Sequence, residues 1–261
     1  MAAHELISPR FAIPGIPVFM YHDVSAGSAT ESRYTLPLER FREHLSFLWE
    51  HGFAVKNLPA LAGDCGGRSV VLTFDDGLLG HYERAFPALL ERGMTATFFV
   101  NTALAGSPGY LNWGQMREMS EAGMTFGSHG REHIDYSIME AAKARRELSR
   151  SRAELEEGLG KAVFSFSAPY GSLSRGLIAG ARDAGFRWIC SSHPWIASAE
   201  SALVPRLAIF HDTDLRRFSA LANRSALPLL ARRARYALLH LPKEILQLTW
   251  PERLRAYREN E

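Results

Sequence analysis

The sequence predicts an α/β fold in which parallel strands curl into a closed or nearly closed barrel. Short apolar runs alternate with amphipathic helical segments over most of the 261 residues, and this alternation is typical of a parallel sheet. The number of such runs is sufficient to close a barrel. A hydrophobic content of 46% supplies the core of one large domain.

The apolar runs mark the strands, and the periodicity between them marks the helices. The runs lie at 17–21, 53–55, 69–74, 95–100, 124–126, 162–166, 186–190 and 203–210. Helical spacing predicts helices over 37–50, between Gly77 and Gly93, and over 174–184. Ser137 and Glu140 match a capping box and predict the start of a long helix with a buried leucine face.

The chain is predicted to divide into a barrel domain at 1–224 and a helical, basic appendage at 225–261. The second segment has no strand pattern and many arginines. Two interpretations stay open for it: a helical segment packed on the barrel, or a basic amphipathic helix in peripheral contact with a membrane surface.

Composition excludes several classes of protein. A net charge of +2 is too small to indicate the strongly basic surface that binds nucleic acid. Cys65 and Cys190 have no metal or disulfide spacing. Prolines interrupt the amino terminus and no stretch has the length of a membrane span. We therefore expect a cytoplasmic protein without a signal peptide, peripheral at the inner membrane face if the appendage binds lipid.

Reactive side chains follow several predicted strands. VVLTFDDG (70–77) ends in Asp75, Asp76 and Gly77, and GSHGREH carries His129 and His133. Because parallel strands end at one face, these groups are expected on one rim. The alternative for the aspartates is an Asp-Gly turn, and for the histidines a solvated surface turn.

Two imidazoles with one carboxylate would make a three-ligand metal site with open positions, as in catalytic zinc and non-haem iron centres. One aspartate would bind the cation while the other stays free beside it. Gly77 would let the backbone turn so that both carboxylates reach one cavity.

TFDDG, SHGREH and APYG, in this order and spacing, resemble the motifs of the polysaccharide deacetylase family, also called the NodB-homology domain or carbohydrate esterase family four. The similarity runs from about Ile16 to Phe218. It implies a distorted or incomplete (β/α) TIM-like barrel. It also implies one divalent cation, usually zinc, with cobalt or nickel as alternatives.

The resemblance further implies a role for each residue. Asp76, His129 and His133 would bind the metal, and Asp75 would be the general base that deprotonates the attacking water. The backbone N–H of Tyr170 would stabilise the oxyanion. The products would be acetate and a free amino sugar.

Three positions depart from the family pattern. Ser167 stands where an arginine usually orients the base, and Pro194 stands where an aspartate usually tunes the catalytic histidine. That histidine is the third difference, because His22 and His211 both follow apolar runs. MYHDVS at the start resembles the exopolysaccharide deacetylases whose last motif has moved to the first strand, which favours His22 as the acid.

Three functions remain to be separated. The first is a metal-dependent N-deacetylase of N-acetylated sugars in a glycan or exopolysaccharide precursor. The second is a hydrolase of a non-sugar linear amide on the same barrel, and the third is an inactive carbohydrate-binding relative. Metal content separates the third from the others, and acetate release from N-acetylglucosamine oligomers separates the first from the second.

Overall fold

The computed structural model describes residues 12–27, 32–63, 67–198 and 201–239. These residues contain the strands β1 (Val18–Tyr21), β2 (Asp23–Ser25), β3 (Thr35–Pro37), β4 (Ala54–Lys56), β5 (Ser69–Phe74), β6 (Thr97–Val100), β7 (Thr125–Ser128), β8 (Ser165–Ser167), β9 (Trp188–Cys190), β10 (Leu203–Val204) and β11 (Leu207–Ala208). The α-helices are α1 (Leu38–Glu50), α2 (Phe86–Leu90), α3 (Trp113–Glu121), α4 (Ala141–Leu159), α5 (Arg175–Asp183), α6 (Leu215–Ala222) and α7 (Ala226–Leu239).

The large sheet is parallel and curls into an incomplete barrel. Its strand order is β10-β9-β8-β7-β6-β5-β1-β11, and β4 pairs with the first half of β5. The two edge strands, β10 and β11, follow each other in the chain and are separated by Pro205 and Arg206. The two edges therefore approach to within about 11 Å. The predicted distorted or incomplete (β/α) barrel is confirmed.

The eighth apolar run is divided. The sequence predicts one strand over 203–210, but the chain leaves β10, crosses from one edge of the sheet to the other and continues as β11. Pro205, at the crossing, has no N–H to donate to a strand ladder. A run of apolar residues has the same pattern whether it forms one strand or two short ones, so periodicity could not show the division.

Helix α4 begins later than the sequence predicts. Its N-cap is Glu140, whose side chain accepts a hydrogen bond from the Ala142 N–H. Ser137 lies instead in a short 3-10 helix that is capped by Asp135. The aspartate, two residues upstream of Ser137, captures its backbone N–H and hydroxyl, so the serine is not available as a cap. The predicted leucine face of α4 is nevertheless buried.

His44 is a buried polar link between α1, β1 and the loop before α6. Its ring stacks on Phe218 with centroids 4.0 Å apart. One ring nitrogen lies 3.2 Å from the Tyr21 hydroxyl and the other 3.1 Å from the Thr213 carbonyl oxygen. Burial lowers the pKa of His44 from 6.5 to about 3, so the ring is neutral in the folded protein at neutral pH.

We expect His44 to make the fold acid-sensitive in a defined window. Below pH 6.5 the unfolded chain binds a proton at this ring that the folded chain does not, so stability falls with pH until about 3 and is unaffected above 6.5. Between about pH 6.5 and 4.5 the loss is about 2 to 3 kcal/mol. His44→Gln should show a shallower decline of unfolding free energy in urea over this range. Equal declines in both proteins would contradict the prediction.

Several predictions fall on residues outside the described part. Helix α7 lies in the predicted appendage, whose remaining residues, 240–261, are not described, and neither are residues 1–11 or Cys65. Cys190 is buried and is not in a disulfide. The helices in the described part of the chain include none with the length and hydrophobicity of a membrane span.

Candidate active site

The end of β5 is a tight turn that directs two carboxylates into the barrel mouth. Asp76 and Gly77 both adopt positive φ angles, 77° and 68°. A Cβ on Gly77 would approach the Val100 side chain to 2.8 Å, so this position requires glycine. Asp76 is strained by the same turn, and such strain in a non-glycine residue is typical of functional sites.

His129 follows β7, and its orientation is set by the neighbouring strand. Its Nδ1 lies 2.8 Å from the Ser167 carbonyl oxygen. Because a carbonyl can only accept, Nδ1 carries the proton and the Nε2 of a neutral ring presents a lone pair. The Asn101 side chain donates to the His129 carbonyl at 2.7 Å. This arrangement is the usual one for a histidine that binds a metal through Nε2.

Asp76, His129 and His133 converge as a candidate metal centre. The Asp76 Oδ1 lies 3.2 Å from His129 Nε2 and 3.4 Å from His133 Nε2, and the ligand atoms of the three residues lie within 4.8 Å of one another. Oδ1 is buried and forms no well-aligned hydrogen bond. A carboxylate oxygen facing imidazole lone pairs is repulsive unless a cation or a proton lies between them, so this donor set fits one divalent cation.

A partly buried network holds the loop that carries His133. Arg131 contacts Glu147 at 3.6 Å and donates through Nε to Glu154 at 3.1 Å. The Arg131 backbone N–H donates to the Tyr136 hydroxyl at 2.9 Å. These contacts tie the loop after β7 to α4 and thereby position His133.

Asp75 is bound by an arginine that comes from the other end of the sequence. Arg206, between β10 and β11, is fully buried. Its Nη1 donates to Asp75 Oδ1 and its Nη2 to Oδ2, both at 2.7 Å. Nη2 also donates to the Ser167 hydroxyl at 2.8 Å, and that hydroxyl lies 3.2 Å from Asp75 Oδ2. Ser167 stands where related sequences usually have an arginine that orients the base. In this chain the guanidinium that binds the same carboxylate comes from Arg206, in the connection between β10 and β11.

The electrostatics keep both aspartates ionised. Burial raises the pKa of Asp75, but the Arg206 guanidinium and His129 lower it by a larger amount. The pKa of Asp75 therefore lies below its ordinary value. Burial likewise opposes ionisation of Asp76, and the two imidazoles hold its pKa well below the usual range. Asp75 is therefore a carboxylate at neutral pH and can accept a proton.

His22 lies beside this cluster, at the junction of β1 and β2. Burial lowers the pKa of His22, and the nearby carboxylates of Asp75 and Asp76 only partly offset it. Desolvation therefore outweighs the attraction of these carboxylates. The His22 Nδ1 is buried without a hydrogen-bond partner, and its ring contacts Tyr34 with centroids 4.5 Å apart.

His211 has a different environment. Its side chain is exposed, and its backbone N–H donates to the Arg33 carbonyl at 2.8 Å. The cap of the next helix, α6, is Asp214, whose side chain accepts a hydrogen bond from the Arg217 N–H. His211 thus lies in a loop three residues before that cap.

Tyr170 lies beside His133, one of the candidate metal ligands. It adopts a φ of 58° within the turn Pro169–Gly171, an unfavourable conformation for a bulky residue. Its side chain is 63% exposed, and its ring is 4.7 Å from that of His133. The predicted oxyanion residue is therefore next to the candidate ligands and accessible from outside.

Sequence reasoning missed Arg206 and His81. The signal for Arg206 was one cation within the apolar run LVPRLAIF, where a charge must be paired if it is buried. His81 is fully buried and its Nε2 lies 2.6 Å from the His22 carbonyl oxygen, which positions the backbone of His22. Nothing in the local sequence distinguishes His81 from a surface histidine after a turn.

Comparison with known proteins finds similar polysaccharide deacetylases. Residues 62–189 match the family model described as polysaccharide deacetylase. A Bacillus subtilis (strain 168) protein described as a polysaccharide deacetylase, YxkH, is 25% identical over 195 residues, which are 72% of this chain and 68% of the relative.

Solved structures show the same fold. The Streptococcus pyogenes deacetylase PplD, in complex with acetate, superposes with a TM-score of 0.74 at 23% identity, covering 81% of this chain and 99% of that one. A de-N-acetylase from Aggregatibacter actinomycetemcomitans has a TM-score of 0.74 at 19% identity, covering 80% of this chain and 100% of that one.

Residues 62–189 therefore resemble a polysaccharide deacetylase domain, and the curated relatives support a carbohydrate deacetylase hydrolase. Asp75, the three candidate ligands and Tyr170 all lie within the matched residues. His22 and Arg206 lie outside them, on either side in the sequence.

Proposed function

We propose that this chain is a metal-dependent N-deacetylase that hydrolyses the acetamide of an N-acetylated sugar in a glycan or exopolysaccharide precursor. The observation that carries the proposal is that two adjacent carboxylates at the end of β5, Asp75 and Asp76, have different partners. Asp75 is held by a guanidinium and is free to take a proton, while Asp76 faces two histidines. The family match and the fold shared with a de-N-acetylase support the same reaction.

Asp76, His129 and His133 would hold the cation, with zinc as the first choice and cobalt or nickel as alternatives. When bound, a divalent cation supplies Lewis-acid polarisation and lowers the pKa of water. The protein contributes the fixed orientation of the ligands, through the Ser167 carbonyl behind His129 and the Arg131 network behind His133.

Asp75 is the general base. It takes one proton from the attacking water as oxygen adds to the acetamide carbonyl carbon. Arg206 holds both carboxylate oxygens, so the base has one orientation and remains ionised until it takes the proton. The Tyr170 backbone N–H donates to the carbonyl oxygen as it gains negative charge.

His22 is the general acid. The carbon–nitrogen bond breaks as the nitrogen takes a proton from His22, giving acetate and a free amine. The lowered pKa of His22 makes its protonated form a stronger acid, although a smaller fraction is protonated at neutral pH. Tyr34, which contacts His22, and Tyr170, which contacts His133, provide ring faces against which a sugar can lie.

Acetate release tests the function. The zinc-loaded chain should release acetate from N-acetylglucosamine oligomers and leave an equal number of free amines. Turnover of simple aryl amides without turnover of the sugars would indicate the linear-amide hydrolase. A chain that binds oligosaccharide but neither holds stoichiometric metal nor releases acetate would indicate the inactive binding relative.

We expect Asp76→Ala to abolish stoichiometric metal binding while the barrel remains folded, because Asp76 lies in a loop at the rim. Metal content measured after dialysis against a weak chelator should be close to one ion per chain in the wild type and close to zero in the variant. Asp23→Ala is the matched control, since Asp23 is another rim carboxylate outside the cluster. A fully loaded Asp76→Ala protein would contradict the ligand assignment.

We expect His22→Ala to retain metal and fold but to lose turnover of acetamides by roughly a hundredfold or more, the usual contribution of an acid–base group. Activated aryl acetates should be affected least, because their leaving groups need little protonation. His211→Ala is the comparison variant and should stay within a few-fold of wild type. The opposite ranking of the two variants on the amide would place the acid after β11.

A further inference from the structure

Helix α7 presents an apolar face to solvent. The exposed fractions of Leu227, Leu230 and Leu238 are 82%, 51% and 44%. Successive helical residues are rotated by about 100°, so these leucines fall on one face, together with Ala231 and Ala234, in an arc of about 100°. Three exposed leucines on a helix of fourteen residues are an apolar patch, which in a folded protein marks an interaction surface.

The inner face of α7 is anchored, so the leucines cannot turn inward. Leu229 is fully buried. The Arg232 Nη1 donates to the Ala208 carbonyl of β11 at 2.6 Å, and the Tyr236 ring contacts His193 with centroids 5.2 Å apart. The orientation of the helix about its own axis is therefore fixed by three contacts to the barrel.

Arginines border the apolar face on both sides. On the helical wheel Arg235 lies at one edge and Arg233 at the other, where its guanidinium is 4.6 Å from the Trp195 ring. The segment from 225 to 239 contains no acidic residue. Packing two copies of this face together would set arginines against arginines, which disfavours a second copy as the partner. An anionic lipid surface satisfies both the leucines and the cations.

The position of α7 connects this face to the candidate active site. Ser225, at the start of the helix, forms a β-bridge with Ala12, which precedes the amino-terminal end of β1. Tyr236, near its end, contacts His193, which follows the carboxyl end of β9. The helix thus runs up the side of the barrel towards the rim that carries the candidate site.

Aromatic contacts continue from the helix to the site. The Arg232 guanidinium lies 5.9 Å from the Phe210 ring, whose centroid is 5.4 Å from that of Tyr34, and Tyr34 contacts His22. A surface bound along α7 would lie beside the mouth of the barrel.

We propose that α7 docks this chain on an anionic membrane surface, with Leu227, Leu230 and Leu238 entering the interface and the flanking arginines contacting lipid head groups. Docking holds the barrel mouth next to the bilayer surface, where a membrane-attached saccharide could enter it. The docking itself does not depend on the proposed reaction.

The test uses the full chain and co-sedimentation with large unilamellar vesicles of phosphatidylcholine, with or without phosphatidylglycerol. The chain should bind the anionic vesicles, bind the neutral ones far less, and be released as salt rises above about 0.1 M. Leu227→Ser should weaken binding roughly tenfold, the effect of removing one buried leucine. Leu90→Ser, a matched change at an exposed leucine of α2, should leave binding unchanged.

A second pair of variants separates charge from apolar burial. Arg235→Gln should weaken binding about fivefold, and Arg146→Gln, at an exposed arginine of α4, should have no effect. Circular dichroism confirms folding, which these surface changes do not threaten. The proposal is overturned if the wild-type chain does not bind anionic vesicles. It is also overturned if the Leu227→Ser variant binds them as tightly as the wild type does. A solution dimer that Leu227→Ser converts to a monomer would assign the face to a second copy instead.

Discussion

Replacing Asp75 with asparagine is expected to lower turnover on acetamides by about a thousandfold, the upper part of the range for general bases. The isosteric amide cannot take a proton from water. It still accepts one hydrogen bond from Arg206, so the site should keep its shape. Metal content should be unchanged, because Asp75 faces Arg206 and Ser167 and lies outside the Asp76 cluster.

The comparison with Asp76→Ala makes this experiment decisive. Activity is measured as acetate released by zinc-loaded protein, and metal is measured in parallel on the same samples. Loss of activity with metal retained supports the assignment of the two aspartates. Loss of metal in Asp75→Asn, equal to that in Asp76→Ala, would mean that their roles are reversed.

Arg206→Gln is expected to have the second large effect, on stability and activity together. Removing one partner of a buried ion pair leaves the other charge uncompensated, which costs about 3 to 5 kcal/mol. Without the guanidinium, burial raises the pKa of Asp75, and a protonated carboxyl cannot act as a base. Turnover near neutral pH should fall by about a hundredfold or more.

The pH dependence of stability and turnover distinguishes the role of Arg206 in keeping Asp75 ionised from a role in packing alone. In the wild type the lowered pKa of Asp75 contributes stability above its ordinary pKa, and this contribution is lost as pH falls through the folded value. In Arg206→Gln the carboxylate is costly only when ionised, so the variant should be most destabilised at high pH and least near pH 4. The acid limb of its rate profile should move to higher pH. Identical pH profiles for both proteins would contradict the positioning role.

Two further variants complete the cycle. Asp75→Asn in the Arg206→Gln background removes the uncompensated charge, so the double variant should be more stable than Arg206→Gln alone, a coupling that independent sites do not show. Arg206→Lys keeps the charge but loses the two-pronged contact, and should recover stability better than turnover. Arg182→Gln, at an exposed arginine of α5, serves as the control.

The sequence by itself determined the strand ends that carry the chemistry. Apolar runs followed by Asp75-Asp76-Gly77 and by His129 predicted polar groups at one rim, because parallel strands must end on one face. The sequence also predicted the turn at Gly77, and the structure agrees, because its positive φ and the close approach of Val100 exclude a side chain. The barrel followed from alternation alone, which depends on the number of elements and not on their pairing.

Only the tertiary structure decided which distant residues complete the site. The strand order places β1 between β5 and β11, so His22 and Arg206 reach the same cavity from opposite ends of the sequence. No local pattern encodes this, because the partners are joined by sheet order and not by spacing along the chain. The pKa of His22 is decided in the same way, because burial among residues remote in sequence lowers it. Local sequence specifies which groups can react, and the long-range pairing of strands determines which of them meet.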